Sequence, residues 1–351
     1  MKSKHHGQNF KYSSINLLCL FFLSLVVFSC SNPIEEHIKL GDKLFKEKKF
    51  KESIEEYTNA LKLDSTRLEI FGKRSSAKKE SMDLWGSMED HFYAGLIDTS
   101  NMVELLFRGE MYLNSGKLNL AYKDFSKVLE KNPFNGRALM LRAFINFETK
   151  NFEESHQDYS NALKTWVADT AEVYFGRGKV KIFLNDTLGA INDFTQAIKI
   201  SPNGYPSYLT RGMAYQLTNQ LDKALQDLKY FNLKVPNNAK ALYKLAQVNK
   251  KLKYLDDALF FFSKVISIEP NHIGALKSIA SIHFINENYQ KSLNFYQKVL
   301  EINSFDDDAN YMASYNCKKL RDKENMCKYL LNCSKTDKDC DTLYHQECLN
   351  Q

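Results

Sequence analysis

The stretch that decides the fold is residues 104–134, ELLFRGEMYLNSGKLNLAYKDFSKVLEKNPF. Its apolar residues recur three and four positions apart, which is the spacing of the buried stripe of a helix. The stretch therefore predicts a helical hairpin. Arg108 lies inside one apolar stripe, and Asp124 lies inside the next stripe, 16 residues later. Charges at positions that a hairpin should bury need partners, so these two residues require an explanation.

Residue types return along the chain with a period of 34 residues, which indicates an internal repeat. Within one unit, positions 8 and 20 are small, positions 11 and 24 are aromatic, and position 32 is proline. In the stretch quoted above these residues are Gly109, Ala121, Tyr112, Phe125 and Pro133. The frame predicts eight units, at residues 34–67, 68–101, 102–135, 136–170, 171–204, 205–238, 239–272 and 273–306.

This pattern resembles the tetratricopeptide repeat, a pair of antiparallel helices. It is weakest in residues 68–101 and needs one extra residue in 136–170. The resemblance implies an all-α fold, a right-handed superhelical solenoid of about eight helix-turn-helix repeats whose neighbours bury each other's apolar faces. Small residues at positions 8 and 20 would let the two helices of a unit approach closely. Residues 307–351 continue the frame loosely, so we expect a partial repeat and C-terminal capping helices there.

The charges at positions 7 and 23 of the units change together. Five units carry arginine with aspartate, which predicts a structural ion-pair ladder of Arg74–Asp90, Arg108–Asp124, Arg142–Asp158, Arg177–Asp193 and Arg211–Asp227. Two units carry apolar pairs instead, Leu245 with Phe261 and Ile279 with Phe295, and the first unit has Leu40 with Glu56. Positions that vary together should touch, with each guanidinium holding a carboxylate through two hydrogen bonds. The sequence leaves open whether each pair forms within one hairpin or between neighbours.

Five cysteines crowd the C-terminal segment: Cys317, Cys327, Cys333, Cys340 and Cys348. Disulfides persist in the oxidising compartment that an exported protein reaches. The stretch CSKTDKDC resembles the short cysteine staples of Sel1-like repeats, with a loop one residue tighter. We therefore expect a Cys333–Cys340 bond, with Cys327 or Cys317 joined to Cys348 and one thiol free. Five small buried apolar residues are the main alternative, and a zinc site is disfavoured because no C-x-x-C pair is present.

The N-terminus has the features of an export signal. Basic MKSKHHGQNFKYSS precedes INLLCLFFLSLVVF, 14 residues without a charge. A bilayer span needs ~20 apolar residues, so this run suits a signal-peptide core. The following residues resemble a bacterial lipobox, with Val27 and Ser29 in place and Phe28 bulkier than usual. Residues 1–30 are thus predicted to be a lipoprotein-type signal peptide, cleaved before or near a lipidated Cys30. An uncleaved anchor and ordinary secretion are the alternatives.

Composition and motifs narrow the function further. The chain has 351 residues, 44% of them hydrophobic and 26% charged, which is ordinary for a folded soluble protein. The net charge is +6, and Lys2, Lys4 and Lys11 of the predicted signal contribute half of it. Without a concentrated basic face, nucleic acid is a poor partner. No catalytic or metal-binding motif is present, so we predict a non-enzyme without catalytic residues, metal or cofactor.

The remaining candidate is the concave surface that first helices form in tetratricopeptide proteins. The family's clamp for acidic tails uses asparagine at position 9, and no unit has it there. The wall is instead apolar and then basic, and its candidate binding residues are Leu106, Leu113, Met140, Phe144, Phe147, Phe175, Ile182, Leu209, Met213, Lys240, Lys250 and Lys277. Such a trough suits an apolar peptide or amphipathic helix with an acidic flank. Alternatively, positions 5 and 12 pack on the next repeat and the lysines are simply solvated.

We therefore expect a protein-binding scaffold in the bacterial cell envelope, on its periplasmic or surface side, as an outer-membrane lipoprotein. Its only membrane contact would be the lipid. A component of an outer-membrane assembly machine is an alternative of a different class. A glycan-binding uptake lipoprotein is less favoured, because eight contiguous units leave no room for inserted binding loops.

Overall fold

The computed structural model describes residues 32–98, 101–165, 170–335 and 337–349, and these residues form helices joined by short turns. The prediction of an all-α fold is confirmed. The helices are α1 (Pro33–Lys46), α2 (Phe50–Leu63), α3 (Leu68–Glu80), α4 (Leu84–Ile97), α5 (Met102–Asn114), α6 (Leu118–Lys131), α7 (Gly136–Glu148), α8 (Phe152–Ala162), α9 (Thr170–Phe183), α10 (Thr187–Ile200), α11 (Tyr205–Leu217), α12 (Leu221–Lys234), α13 (Ala239–Lys251), α14 (Leu255–Ile268), α15 (Ile273–Ile285), α16 (Tyr289–Ile302), α17 (Asp307–Leu320), α18 (Lys323–Cys333) and α19 (Lys338–Tyr344). A π-helix, His345–Leu349, continues α19.

The chain divides into two compact units, Met1–Ala138 and Leu139–Gln351. In the first unit, consecutive helices from α1 to α6 pack against each other. In the second unit the same holds from α8 to α19. The C-terminal helices belong to the core of this unit, since Cys333 and Cys340 are buried in one apolar cluster with Leu276 and Tyr296. The predicted cysteine-containing helical cap is therefore present.

One backbone conformation recurs in the turn after every first helix. Position 15 has a positive φ of 57–74° in Lys48, Met82, Gly116, Lys150, Asn185, Asn219, Lys253, Glu287 and Arg321. The next amide donates to the carbonyl five residues back, as from Lys49 to Leu44 at 2.9 Å and from Gln220 to Tyr215 at 2.8 Å. This bond closes the last turn of the helix in the manner of a Schellman cap. Because only Gly116 is a glycine, the sequence carries no visible mark of these turns.

In three hairpins, a glycine at position 8 lies directly against the aromatic ring at position 24. A Cβ atom placed on Gly178 would lie 2.6 Å from Cε1 of Phe194, the buried aromatic residue at position 24. Gly109 stands in the same relation to Phe125, and Gly41 to Tyr57. In these three hairpins, the ring at position 24 occupies the space that a side chain at position 8 would fill.

Alanine at Gly178 is expected to lower the stability of the protein. The added methyl group must displace the ring of Phe194, which costs ~1–3 kcal/mol and exceeds the ~1 kcal/mol that alanine gains over glycine in a helix. The matched control is Gly72→Ala in α3, because no atom lies within 4 Å of a Cβ at that position. Far-UV circular dichroism during urea unfolding should show a lower midpoint for Gly178→Ala and a slightly higher one for Gly72→Ala. A shift in the same direction for both variants would contradict the packing argument.

The predicted signal segment and the lipidation candidate Cys30 lie outside the described residues. Within the described ranges, no helix combines the length and the apolar character that crossing a bilayer requires.

Candidate binding surface and the ion pairs behind it

Each arginine of the predicted ladder holds the aspartate of its own hairpin. In all five pairs, Nε and Nη2 of the arginine donate to the two carboxylate oxygens, over distances of 2.6–3.0 Å. The aspartates are buried, from 0% exposed for Asp90 and Asp193 to 5% for Asp158 and Asp227. Bidentate geometry of this kind satisfies both charges away from water. The sequence left open whether each pair forms within one hairpin or between neighbours. In the structure, each arginine holds the carboxylate of its own hairpin.

The remaining guanidinium nitrogen reaches the preceding hairpin. Nη1 of Arg211 donates to Oγ1 of Thr195 at 3.1 Å, and Nη1 of Arg177 donates to Oγ of Ser160 at 3.3 Å. In the first compact unit, Nη1 of Arg74 donates to Oγ1 of Thr58 at 3.1 Å, and Arg108 donates to the carbonyl of Gly95. One side chain therefore joins the two helices of its hairpin and also ties that hairpin to its neighbour.

A second polar group at position 11 completes several pairs. Nζ of Lys78 lies 3.0 Å from Asp90, and Nζ of Lys181 lies 3.0 Å from Asp193. In the unit of Arg142, the amide of Asn146 lies 3.4 Å from Asp158. Sequence reasoning missed these residues because position 11 was treated as an aromatic position. A signal was available, since lysine replaces the aromatic residue in two units that also carry arginine and aspartate.

The repeats without the arginine–aspartate pair place other residues at positions 7 and 23. Leu245 is buried and packs with Phe261, while Ile279 is buried in a cluster that includes Phe295. In the first repeat, residues 34–67, Leu40 is exposed, and Glu56 lies 2.6 Å from Nδ1 of His37 instead. The carboxylate therefore keeps a partner on the first helix, although at a different position.

First helices of the second unit share one surface, on which position 12 of one helix meets position 9 of the next first helix. Nζ of Lys179 lies 4.4 Å from the ring centroid of Phe147. The amide of Gln216 lies 3.5 Å from Oε1 of Gln247, and Nζ of Lys250 donates to Oγ of Ser281 at 3.1 Å. We call this face of α7, α9, α11, α13 and α15 the first-helix face.

The predicted groove residues differ in how exposed their side chains are. Phe144 is 37% exposed and Lys240 is also exposed, whereas Met140 is only 8% exposed and offers a partner little surface. Half-buried positions are taken by Leu106 and Leu113 in the first unit and by Phe147, Phe175, Ile182, Leu209, Met213, Lys250 and Lys277 in the second. Several of these also support neighbouring helices, as Phe147 does by packing edge-on against Phe152 and Phe183. These side chains therefore pack against neighbouring helices and also remain partly accessible.

Cations on the first-helix face differ in whether they already have an anionic partner. Lys277 lies 2.6 Å from Asp306 and 3.2 Å from Asp308. Burial lowers the pKa of Lys277, but its hydrogen bonds to the two carboxylates outweigh burial and raise the pKa overall. The positive charge of Lys277 is therefore already compensated by two aspartates. Lys179, which was not among the predicted groove residues, lies over the rings of Phe147 and Phe175.

Four of the five C-terminal cysteines form disulfides in the structure. Cys333 is bonded to Cys340, and Cys327 is bonded to Cys348. Cys317 is the free thiol, and burial raises its pKa to about 11, so it is protonated at neutral pH. Among the described residues, no group of histidine, cysteine, aspartate and glutamate is arranged to hold a metal ion.

Comparison with known proteins assigns the repeat. A family model described as Tetratricopeptide repeat matches residues 171–203 and 239–272. These two segments are tetratricopeptide repeats. The two matched segments coincide with the hairpins α9–α10 and α13–α14 of the second unit. Tetratricopeptide repeats form scaffolds for protein–protein interaction, so this protein has the fold of an interaction scaffold.

The relatives of this chain are distant. A TPR repeat-containing protein of Methanocaldococcus jannaschii is 24% identical over 208 residues, which are 59% of this chain and 33% of the relative. DnaJ homolog subfamily C member 7 of Mus musculus is 24% identical over 266 residues, which are 70% of this chain and 52% of the relative. The chain thus spans about a third to a half of these relatives. Among solved structures, the APC/C hetero-tetramer Cut9–Hcn1 shares the fold, with TM-score 0.51, 18% identity and coverage of 79% of this chain and 54% of that chain.

Proposed function

We propose that this protein is a non-enzymatic, lipid-anchored scaffold of the bacterial cell envelope that binds a protein partner on its first-helix face. The proposal of a protein partner is supported by the tetratricopeptide fold. The single observation that carries the location of the site is the partly exposed ring of Phe144 on α7, beside the Phe147–Lys179 contact. A half-exposed aromatic surface with a cation at hand favours an apolar segment that brings its own negative charge.

The anchor and the location are inferred from the N-terminal sequence. A basic start, a 14-residue uncharged run and the residues Ser29 and Cys30 are typical of a bacterial lipoprotein signal. Two disulfides in the C-terminal cap support the same compartment, because disulfides persist outside the reducing cytosol. Metabolic labelling with an alkyne fatty acid tests the anchor: label should enter the unaltered protein and be absent from Cys30→Ala.

Partner binding is expected to depend on Phe144. The full-length protein would be crosslinked in its native cell, purified in detergent, and its captured partners quantified by mass spectrometry. Alanine at Phe144 should reduce capture by at least about tenfold, since aromatic anchors dominate binding energy. The matched control is Phe260→Ala on α14, which removes a comparably exposed phenylalanine that also lies near a lysine, Lys264 at 4.5 Å. Equal capture by all three proteins would exclude the first-helix face as the binding site.

A further inference from the structure

A depression of about 500 Å³ lies on the first-helix face of the second unit, away from Phe144. Its lining comes from three consecutive first helices and the turn that follows α13: Gln216, Gln247, Lys250, Lys251, Lys253 and Ser278. Half of these residues are lysines. Nζ of a further lysine, Lys244, donates to Oε1 of Gln247 at 3.3 Å and so borders the depression.

The positive charge of this depression is not compensated within the described part of the chain. No described carboxylate lies within 4.0 Å of Nζ of Lys244, Lys250, Lys251 or Lys253. Burial lowers the pKa of Lys244 and of Lys250, and neighbouring lysines lower both further. Four half-buried lysines elsewhere, Lys73, Lys78, Lys181 and Lys277, each contact an aspartate. Grouped cations without a carboxylate would gain most from an external anion.

The other lining groups favour a peptide over a small ion. Oε1 of Gln247 accepts from Nε2 of Gln216 at 3.5 Å and from Nζ of Lys244 at 3.3 Å, which leaves Oε1 of Gln216 as an acceptor and Nε2 of Gln247 as a donor for a peptide backbone. The volume exceeds that of one carboxylate or phosphate group and matches a short segment. Leu209 and Met213 on α11 continue the same face with half-buried apolar surface. Charge, amide groups and an apolar border thus occur together.

We propose that this depression binds an acidic peptide segment, whose carboxylates contact Lys250, Lys251 and Lys253 while its backbone contacts the two glutamines. The proposal rests on the proposed function for the source of the peptide, and it assigns the acidic flank of the partner to this site rather than to Lys277. It differs from an asparagine-based clamp, because lysine and glutamine side chains supply the contacts.

The probe that tests this site is a fluorescein-labelled peptide in which glutamates follow a short apolar stretch, together with a version carrying glutamine for each glutamate. Fluorescence anisotropy would be measured on the full-length protein in a nonionic detergent. The triple variant Lys250→Gln, Lys251→Gln and Lys253→Gln should bind the acidic peptide at least about tenfold more weakly. The matched control removes the same charge from exposed positions of second helices, through Lys223→Gln, Lys229→Gln and Lys264→Gln, and should change affinity by less than about threefold.

A second variant, Ser278→Glu, guards against a folding defect in the triple variant, because it places a carboxylate in the depression and should also weaken binding. Equal losses in both triple variants, or equal affinity for the glutamine peptide, would overturn the proposal. Inorganic phosphate that binds with the same lysine dependence, while the peptide does not bind, would also overturn it in favour of a small-anion site. The two proposals can also be told apart. If peptide binding depends on the lysines but Phe144→Ala does not change partner capture, this site is supported and the proposed function is wrong.

Discussion

Replacing Arg142 with leucine is expected to destabilise the protein by ~3–5 kcal/mol, which is the usual cost of removing one partner of a buried ion pair. The loss arises from Asp158, which is 5% exposed and would keep a negative charge without its two hydrogen bonds from the guanidinium. The remaining contact, from Asn146 at 3.4 Å, is too long to compensate. Urea unfolding followed by circular dichroism would report the loss as a lower midpoint.

Adding Asp158→Phe to Arg142→Leu should recover much of that loss. Leucine with phenylalanine is the pair that the chain itself uses at the same two positions, where Leu245 is buried beside Phe261. A well-packed apolar pair often equals a buried ion pair in stability, because no charge has to be desolvated. Lys229→Leu on the exposed surface of α12 controls for the added apolar side chain. Midpoints that fall equally in the single and double variants would refute the structural role of the pair.

Removing the Cys327–Cys348 disulfide, through serine at both positions, is expected to destabilise the C-terminal cap by ~2–4 kcal/mol. The bond spans 21 residues and joins α18 to the π-helix, so its loss frees a loop that the folded cap must otherwise close. Repeat arrays open locally, so the effect should appear as faster amide hydrogen exchange in α18 and α19. Exchange in α9 and α10 should stay unchanged.

Cys317→Ala is the matched control, because it removes a cysteine that takes part in neither bond. Hydrogen exchange in the cap of this variant should change much less than in the double serine variant. In the unaltered protein, Cys317 should react with iodoacetamide only after unfolding, because its thiol is buried and its raised pKa keeps it protonated. Rapid alkylation of the folded protein, or unreduced mass spectra without two disulfides, would contradict this arrangement of the cap.

Several features of the site could not be read from residue types. The left-handed turn at position 15 is occupied by lysine, methionine, asparagine, glutamate and arginine as well as by Gly116, because the helix-closing bond uses only backbone atoms. Lys277 had the same appearance in the sequence as Lys250, yet only Lys277 meets Asp306 and Asp308. Such differences depend on which side chains the turns between hairpins bring together.

The sequence by itself determined the repeat, the all-α fold and the pairing of positions 7 and 23, because each follows from a period that one hairpin imposes on its own residues. Tertiary structure decided how those hairpins share their side chains. The third guanidinium nitrogen of Arg211 turns to Thr195 of the preceding hairpin, and Met140 is buried rather than offered to a partner. Contacts between stacked hairpins join residues about 31 positions apart, and local spacing holds no information on their geometry.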